Sequence, residues 1–256
     1  MMAGTLNTQH ALVTGGGRGI GRAIAAGLVG AGARVSIIGR DVATLEKAVA
    51  DGIAHAFAVA DVTDEAATLA AIKSLAAVQP FDIAVANAGG AEIAPFHRSD
   101  AALFRRMFEL NVMSVRTVFD AVLGSMSDHG HGRAIAIAST AGHRGYDGAS
   151  AYCAAKHAVL GLVKSLALEH ARLGTGVTVN AISPGYANTD LVARGVRGIA
   201  RKGGISEEEA KSYFTTDNPM GRLVQPEEVA AAVLYLCGPG SGSINGQSLL
   251  INGGEF

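Results

Sequence analysis

HALVTGGGRGIG, residues 10–21, is an apolar strand that runs into a glycine turn and then into a helix. His10 to Thr14 has the short apolar run of a buried parallel strand, and the Ala-rich segment after Gly21 continues as a helix to about Gly30. Strand, glycine turn and helix in that order open a nucleotide-binding α/β fold. The glycines let the backbone approach a pyrophosphate, whose charge is favoured at the helix N-terminus. The spacing is G-x-x-x-G-x-G, through Gly15, Gly19 and Gly21, and differs from the commoner G-x-G-x-x-G. Arg22 and Ala23 stand where a P-loop needs Lys and Ser or Thr, which leaves a merely flexible turn as the competing reading.

Outward from this turn the alternation continues. Residues 34–38 read as a second strand ending in Gly39, Arg40 and Asp41. At this point an acidic side chain takes the ribose hydroxyls of NAD, whereas a basic one accommodates the 2′-phosphate of NADP. Arg40, with Arg18 from the glycine turn, therefore favours NADP(H); the other reading is a solvated turn residue paired with Asp41. A third strand over 54–60 leads to Asp61 and Val62, where Asp61 either accepts from an adenine amino group or caps the helix that starts near Asp64. The fourth, 83–86, enters a second glycine turn, Asn87, Ala88, Gly89 and Gly90. A helical stretch over 99–124 embeds Asn111 among apolar neighbours, either at the surface or deliberately buried.

The apolar run 134–138 is a strand that delivers Ser139 at its carboxyl end, where open α/β sheets bind ligands. Tyr152 and Lys156 follow at i and i+4, on one face of a helix whose stripe is Val159, Leu162, Val163 and Leu166. A free phenol titrates near ~10, too high for a base at neutral pH. An ammonium roughly 5 Å away favours the phenolate by ~3 kcal/mol, on the order of two pKa units. Tyr152 is thereby expected near working pH as an acid/base, with Ser139 holding the substrate oxygen. The plain alternative is an ordinary helix tyrosine beside a turn serine. Residues 177–182 form a sixth strand ending in Ser183, Pro184 and Gly185, and 187–217 then break the alternation. This insertion carries Arg194, Arg197, Arg201 and Lys202 and a capping box, Ser206 with Glu209, and is expected to be a substrate lid. A helix over 226–237 and a strand over 248–251 finish the chain.

Composition narrows the class. In 256 residues, 49% are hydrophobic and 17% charged, which suits one buried sheet without disordered tails. A net charge of −1 invites neither nucleic acid nor an anionic membrane. Two cysteines, Cys153 and Cys237, make no disulfide framework, and no His with a third orienting group stands beside Cys153 to activate it. His129 and His131 lack the carboxylate or thiol set that a metal site needs, so no metal is expected. No leader-like start and no run of ~18 apolar residues is present, so a cytoplasmic chain is expected.

Taken together, TGGGRGIG (14–21), Asp61 with Val62, NAG (87–89), Asn111, Ser139, YCAAK (152–156) and PG (184–185) resemble the short-chain dehydrogenase/reductase family over essentially the whole chain. The resemblance implies a single doubly wound Rossmann domain spanning 1–256, with a seven-stranded parallel sheet and a small lid at about 187–217. It implies a catalytic tetrad of Asn111, Ser139, Tyr152 and Lys156, with Lys156 on the nicotinamide ribose and lowering the Tyr152 pKa, and Asn111 holding a water. Cofactor contacts are implied for Gly15, Gly17, Arg18, Gly19, Ile20, Gly21, Asp61, Val62, Asn87, Ala88 and Gly89. Ile182, Pro184, Gly185 and Thr189 are implied to flank the nicotinamide. The usual NNAG has Ala86 in its first position here, which touches the rigidity of the sheet more than the chemistry. A homotetramer built on the helices with Asn111 and Tyr152 is also implied.

Within the family, NPMGRLVQPEEVA (218–230) and the NGGEF end resemble the branch that reduces 3-oxoacyl thioesters and related polyketide ketones, or oxidises 3-hydroxyacyl thioesters. The basic lid with Arg144 is then either a site for a CoA or carrier phosphate or a solvated face. Two other readings stay open. One is an NAD-linked dehydrogenase of cyclic or aromatic secondary alcohols; the other is a non-catalytic dinucleotide-binding protein, against which stand the intact Tyr152 and Lys156.

Overall fold

The structure, a computed structural model, describes residues 5–256. Seven parallel strands form one sheet in the order β3-β2-β1-β4-β5-β6-β7. They are β1 His10–Thr14, β2 Arg34–Gly39, β3 Ala56–Val59, β4 Ile83–Ala86, β5 Gly132–Ile137, β6 Val177–Pro184 and β7 Ser248–Ile251. The inner strands are mostly apolar because helices cover both faces, with Ser36, Arg133 and Asn180 among the buried polar exceptions. Alternate side chains serve opposite cores. Leu12, Ala84, Ala134 and Val179 pack under α3 Glu65–Ala76, α4 Ala101–Phe108, α5 Ser114–Asp128 and α6 Ser150–Leu173. Ala11, Val13, Val85 and Ile135 pack under α1 Gly19–Gly30, α2 Val42–Ala50 and α9 Pro226–Cys237. The strand order reverses between β1 and β4, and that switch point is where such sheets bind ligands.

Three expectations are corrected. The stretch 99–124 is two helices, α4 and α5, joined by a π turn, Glu109–Met113, that contains Asn111. Strand β6 runs on through Pro184, which pairs with Ile251 of the edge strand, rather than stopping at Ile182. The insertion holds two helices, α7 Asp190–Gly203 and α8 Glu207–Thr215. Only the second was expected, from the Ser206 cap, whose side chain accepts from the Glu209 N–H at 3.1 Å. Val192, Val196, Ala210 and Leu223 give this pair a small core of its own, so α7 is held by tertiary packing.

Helix α6 is long and apolar enough, by length and composition, to cross a membrane. Here it lies on the sheet, with Val159 and Val163 in the core. Cys153 and Cys237 are both free thiols and both buried.

Candidate active site

The two glycine turns meet at the switch point, tied by a residue that motif reading passed over as a site residue. Thr14 Oγ1 accepts from the backbone N–H of both Asn87 and Ala88, each at 3.1 Å. Asn87 Nδ2 donates to the Thr14 carbonyl at 2.8 Å. The ends of β1 and β4 thus form one framework.

A side chain at Gly21 would stand 2.3 Å from the Gly15 carbonyl oxygen, so only glycine lets the turn close on the start of α1. Arg18, at the N-cap, makes no side-chain bond to the helix. The first-turn N–H groups of α1 are left to an anion, and the cradle fits a pyrophosphate. Gly15, Gly17, Gly19 and Ile20 belong to this same turn. A cleft of about 540 Å³ adjoins it, lined by Arg18, Gly19, Thr44, Lys47 and Asp190 among others. Thr189 lies over the turn: its methyl is 3.3 Å from where a side chain at Gly19 would begin.

Arg40 is not paired with Asp41 as the plainer reading expected. Its guanidinium pairs with Asp61, 3.3 Å away, and is 67% exposed. Asp41 instead caps α2 through the Thr44 N–H. Asp61 does not cap a helix either; it accepts from Thr63 N–H and Oγ1 at 3.0 and 2.8 Å, while Asp64 caps α3. Val62 beside it is buried.

Asn111 is 1% exposed. Its Nδ2 donates to the carbonyls of Gly90 at 2.9 Å and Met107 at 3.0 Å, and its Oδ1 accepts from Gly90 N–H at 3.3 Å. The side chain therefore fastens the second glycine turn to the π turn. Lys156, 5% exposed, donates to the Ile137 carbonyl at 3.0 Å. A side chain at Gly89 would meet Asn111 Oδ1 at 2.9 Å and Lys156 Nζ at 3.7 Å, so the two converge on one bare backbone position. Nζ lies 5.8 Å from the centre of the Tyr152 ring.

Ser139 begins a short 3₁₀ turn, Thr140–Gly142, and its Oγ accepts from the Ala141 N–H at 3.1 Å. That bond fixes the hydroxyl while leaving its own proton free to donate. Burial pushes the Tyr152 phenol up to about 12; a hydrogen bond with Ser139 pulls the other way, and Cys153 and Tyr186 add to the rise. Burial also draws the Lys156 ammonium down to about 8. The net shift of Tyr152 is thus upward, set by burial, against the expected lowering. Desolvation disfavours both charges, and the ammonium hydrogen-bonds a carbonyl, not the phenol.

Pro184 and Gly185 end β6, with Gly185 N–H bonded to the Ile251 carbonyl at 3.0 Å. Arg144 is ion-paired, 3.2 Å from Asp217 and 3.5 Å from Glu255. Tyr146 and Phe214 stand edge-on to Tyr186, at 6.2 and 5.0 Å between ring centres.

The family model described as short chain dehydrogenase matches residues 9–198. The chain is 35% identical over 252 residues to an acetoacetyl-CoA reductase of Shinella zoogloeoides, covering 97% of this chain and 99% of that protein. It is 36% identical over 250 residues to a cis-4-hydroxycyclohexanecarboxylate dehydrogenase of Sinomonas cyclohexanicum, covering 95% of each. Among solved structures, a point variant of actinorhodin polyketide ketoreductase with NADPH superposes with a TM-score of 0.91 at 36% identity, over 99% of both chains.

Proposed function

The chain belongs to the short chain dehydrogenase family and is an oxidoreductase of ketones and secondary alcohols, and from that premise we propose an NADP(H)-dependent ketone reductase with Tyr152 as its acid. The observation that carries this is the convergence of three groups: the Tyr152 phenol is hydrogen-bonded with Ser139, and Lys156 Nζ lies 5.8 Å from its ring centre, while burial keeps the phenol protonated. That phenol rests in the form reduction needs.

Ser139 donates to the ketone oxygen and orients it. The nicotinamide, when bound, supplies the hydride to the carbonyl carbon. Tyr152 gives its proton as the oxygen becomes an alkoxide. Lys156, ammonium at neutral pH with its value near 8, stabilises the phenolate left behind. Asn111 keeps the Gly89–Gly90 turn in place beside Lys156. Gly15, Gly17, Arg18, Gly19, Gly21, Asn87 and Ala88 hold the dinucleotide through their backbone. Arg18 and Arg40 select its 2′-phosphate, Asp61 and Val62 border the adenine, and Pro184, Gly185 and Thr189 border the nicotinamide.

The substrate we propose is a 3-oxoacyl thioester or a related ketone, as the similarity to an acetoacetyl-CoA reductase and to a polyketide ketoreductase supports. The exposed cations Arg194, Arg197, Arg201 and Lys202 on α7, none ion-paired among the described residues, supply the positive charge such a phosphate-bearing carrier would meet. A second reading, a cyclic or aromatic secondary alcohol, is favoured by the aromatic row Tyr146, Tyr186 and Phe214 and by the cyclohexanecarboxylate-type relative. We also propose a homotetramer, supported by Phe108, Leu168 and Leu173, which stay exposed on α4 and α6. Light scattering that reads a monomer at micromolar concentration removes it.

The deciding experiment follows NADPH oxidation across 3-oxoacyl thioesters and plain cyclic ketones, with Tyr152→Phe as control. Turnover should favour the thioesters and fall by at least about 10³-fold in the variant, which still binds NADPH. Equal turnover in Tyr152→Phe removes the phenol as the acid.

A further inference from the structure

The last residues of the chain return to the predicted site. The side chain of Glu255 is only 3% exposed. It accepts a hydrogen bond from the Tyr146 hydroxyl and lies 3.5 Å from the Arg144 guanidinium. Its second oxygen stands 3.3 Å from where a side chain at Gly185 would begin, so the carboxylate backs onto the end of β6.

Tyr146 also meets Thr140 Oγ1 at 2.6 Å. A phenol has one proton to give, and a carboxylate can only accept. Tyr146 therefore donates to Glu255, and Thr140 donates to the phenolic oxygen. The phenol titrates accordingly: burial raises it most, Glu255 raises it further and Thr140 lowers it. In the other direction Arg144 lies over the rings of Tyr146 and Phe256, at 4.6 and 5.6 Å, and reaches Asp217 at 3.2 Å, two residues past α8. One chain of polar contacts thus joins the residue after Ser139 to the end of the lid, and Glu255 is its middle link.

We infer that Glu255 is a positioning residue that holds the Ser139 turn and the lid in one arrangement, so that the ketone enters a pocket already closed on both sides. The inference rests on the reading of Ser139 and Tyr152 as the reacting pair. A carboxylate this buried needs all its partners, because losing any one leaves a desolvated charge. The members of such a network act as a unit. The aromatic row repeats the connection, since Tyr146 follows the Ser139 turn and Phe214 sits on α8.

The lid carries its own reporter. Arg194, Arg197, Arg201 and Lys202 are exposed on α7, so trypsin cleavage there reads how often the lid opens. In Glu255→Ala, α7 cleavage should accelerate about fivefold or more. Glu255→Gln still accepts the Tyr146 proton and should recover most of the protection. The pair Tyr146→Phe with Glu255→Ala should cleave no faster than Glu255→Ala alone. On any ketone the unaltered protein reduces, Glu255→Ala should raise KM about tenfold and change kcat by less than about threefold.

Unaltered α7 cleavage in Glu255→Ala, no recovery in Glu255→Gln, additive effects in the pair, or a fall in kcat at constant KM would each overturn the inference. The digestion needs no turnover. A protein that reduces no ketone yet shows this protease pattern keeps the coupling and loses the reductase reading.

Discussion

Lys156 sits at 5% exposure with its ammonium value drawn down to about 8 by burial. The unfolded chain holds that proton up to about pH 10.5, so between about 8 and 10.5 it binds more protons than the folded one, and stability rises with pH there. At pH 7 the folded protein carries a burial penalty on the order of 3 kcal/mol, which shrinks to about 1 near pH 10. Lys156→Met should therefore abolish turnover yet stabilise the fold at pH 7, by less than that figure because the Ile137 carbonyl loses its donor. Urea unfolding at the two pH values checks it; a variant no more stable at pH 7 than at pH 10, relative to the unaltered protein, refutes the penalty. Arg40 supports a different residue-scale prediction. Arg40→Asp places a second carboxylate opposite Asp61 and should move preference from NADPH toward NADH. Unchanged kcat/KM ratios for the two cofactors would discard Arg40 as the selector. The Arg40–Asp61 pair was illegible in the chain because its members stand 21 residues apart, at the ends of neighbouring strands β2 and β3.

Among the elements, the π turn Glu109–Met113 has the clearest purpose. Its side-chain amide at Asn111 takes the Met107 and Gly90 carbonyls at once. Asn111→Leu removes this partner from the half-buried Gly90 N–H and carbonyl, and should cost about 1–3 kcal/mol. Chemical denaturation measures it, and a loss under about 1 kcal/mol would mean that the turn does not depend on this side chain. A π turn leaves no mark in apolar periodicity, so the sequence offered one long helix. Helix α7 was missed for the related reason that its apolar face packs on α8, Ile205 and Leu223 away from the sheet, and its exposed side reads as a loop rich in Arg and Gly. By contrast, the strands β1, β4 and β7 and the helix α9 were legible to the residue, since Thr14, Ala86 and Pro226 stand at sharp changes from apolar runs to glycine, polar residues or proline.

At the scale of the molecule, the doubly wound sheet was expected from the motif set that the chain shares with its family, and the observed order β3-β2-β1-β4-β5-β6-β7 is that fold. What spacing does not encode is convergence: Asn111, Lys156 and Gly89 meet because the π turn, α6 and the turn after β4 pack together. The buried thiols extend this to time. Cys237, 2% exposed and with its thiol pushed up to about 12 by burial, sits at the end of α9, inside the core beneath the sheet. An alkylating reagent meets its thiolate only when that core opens, so the labelling rate at high reagent concentration should level off at the unfolding rate. The cysteine is then a clock for the whole chain, and one that keeps ticking in a crowded lysate where no spectroscopic signal of unfolding can be read.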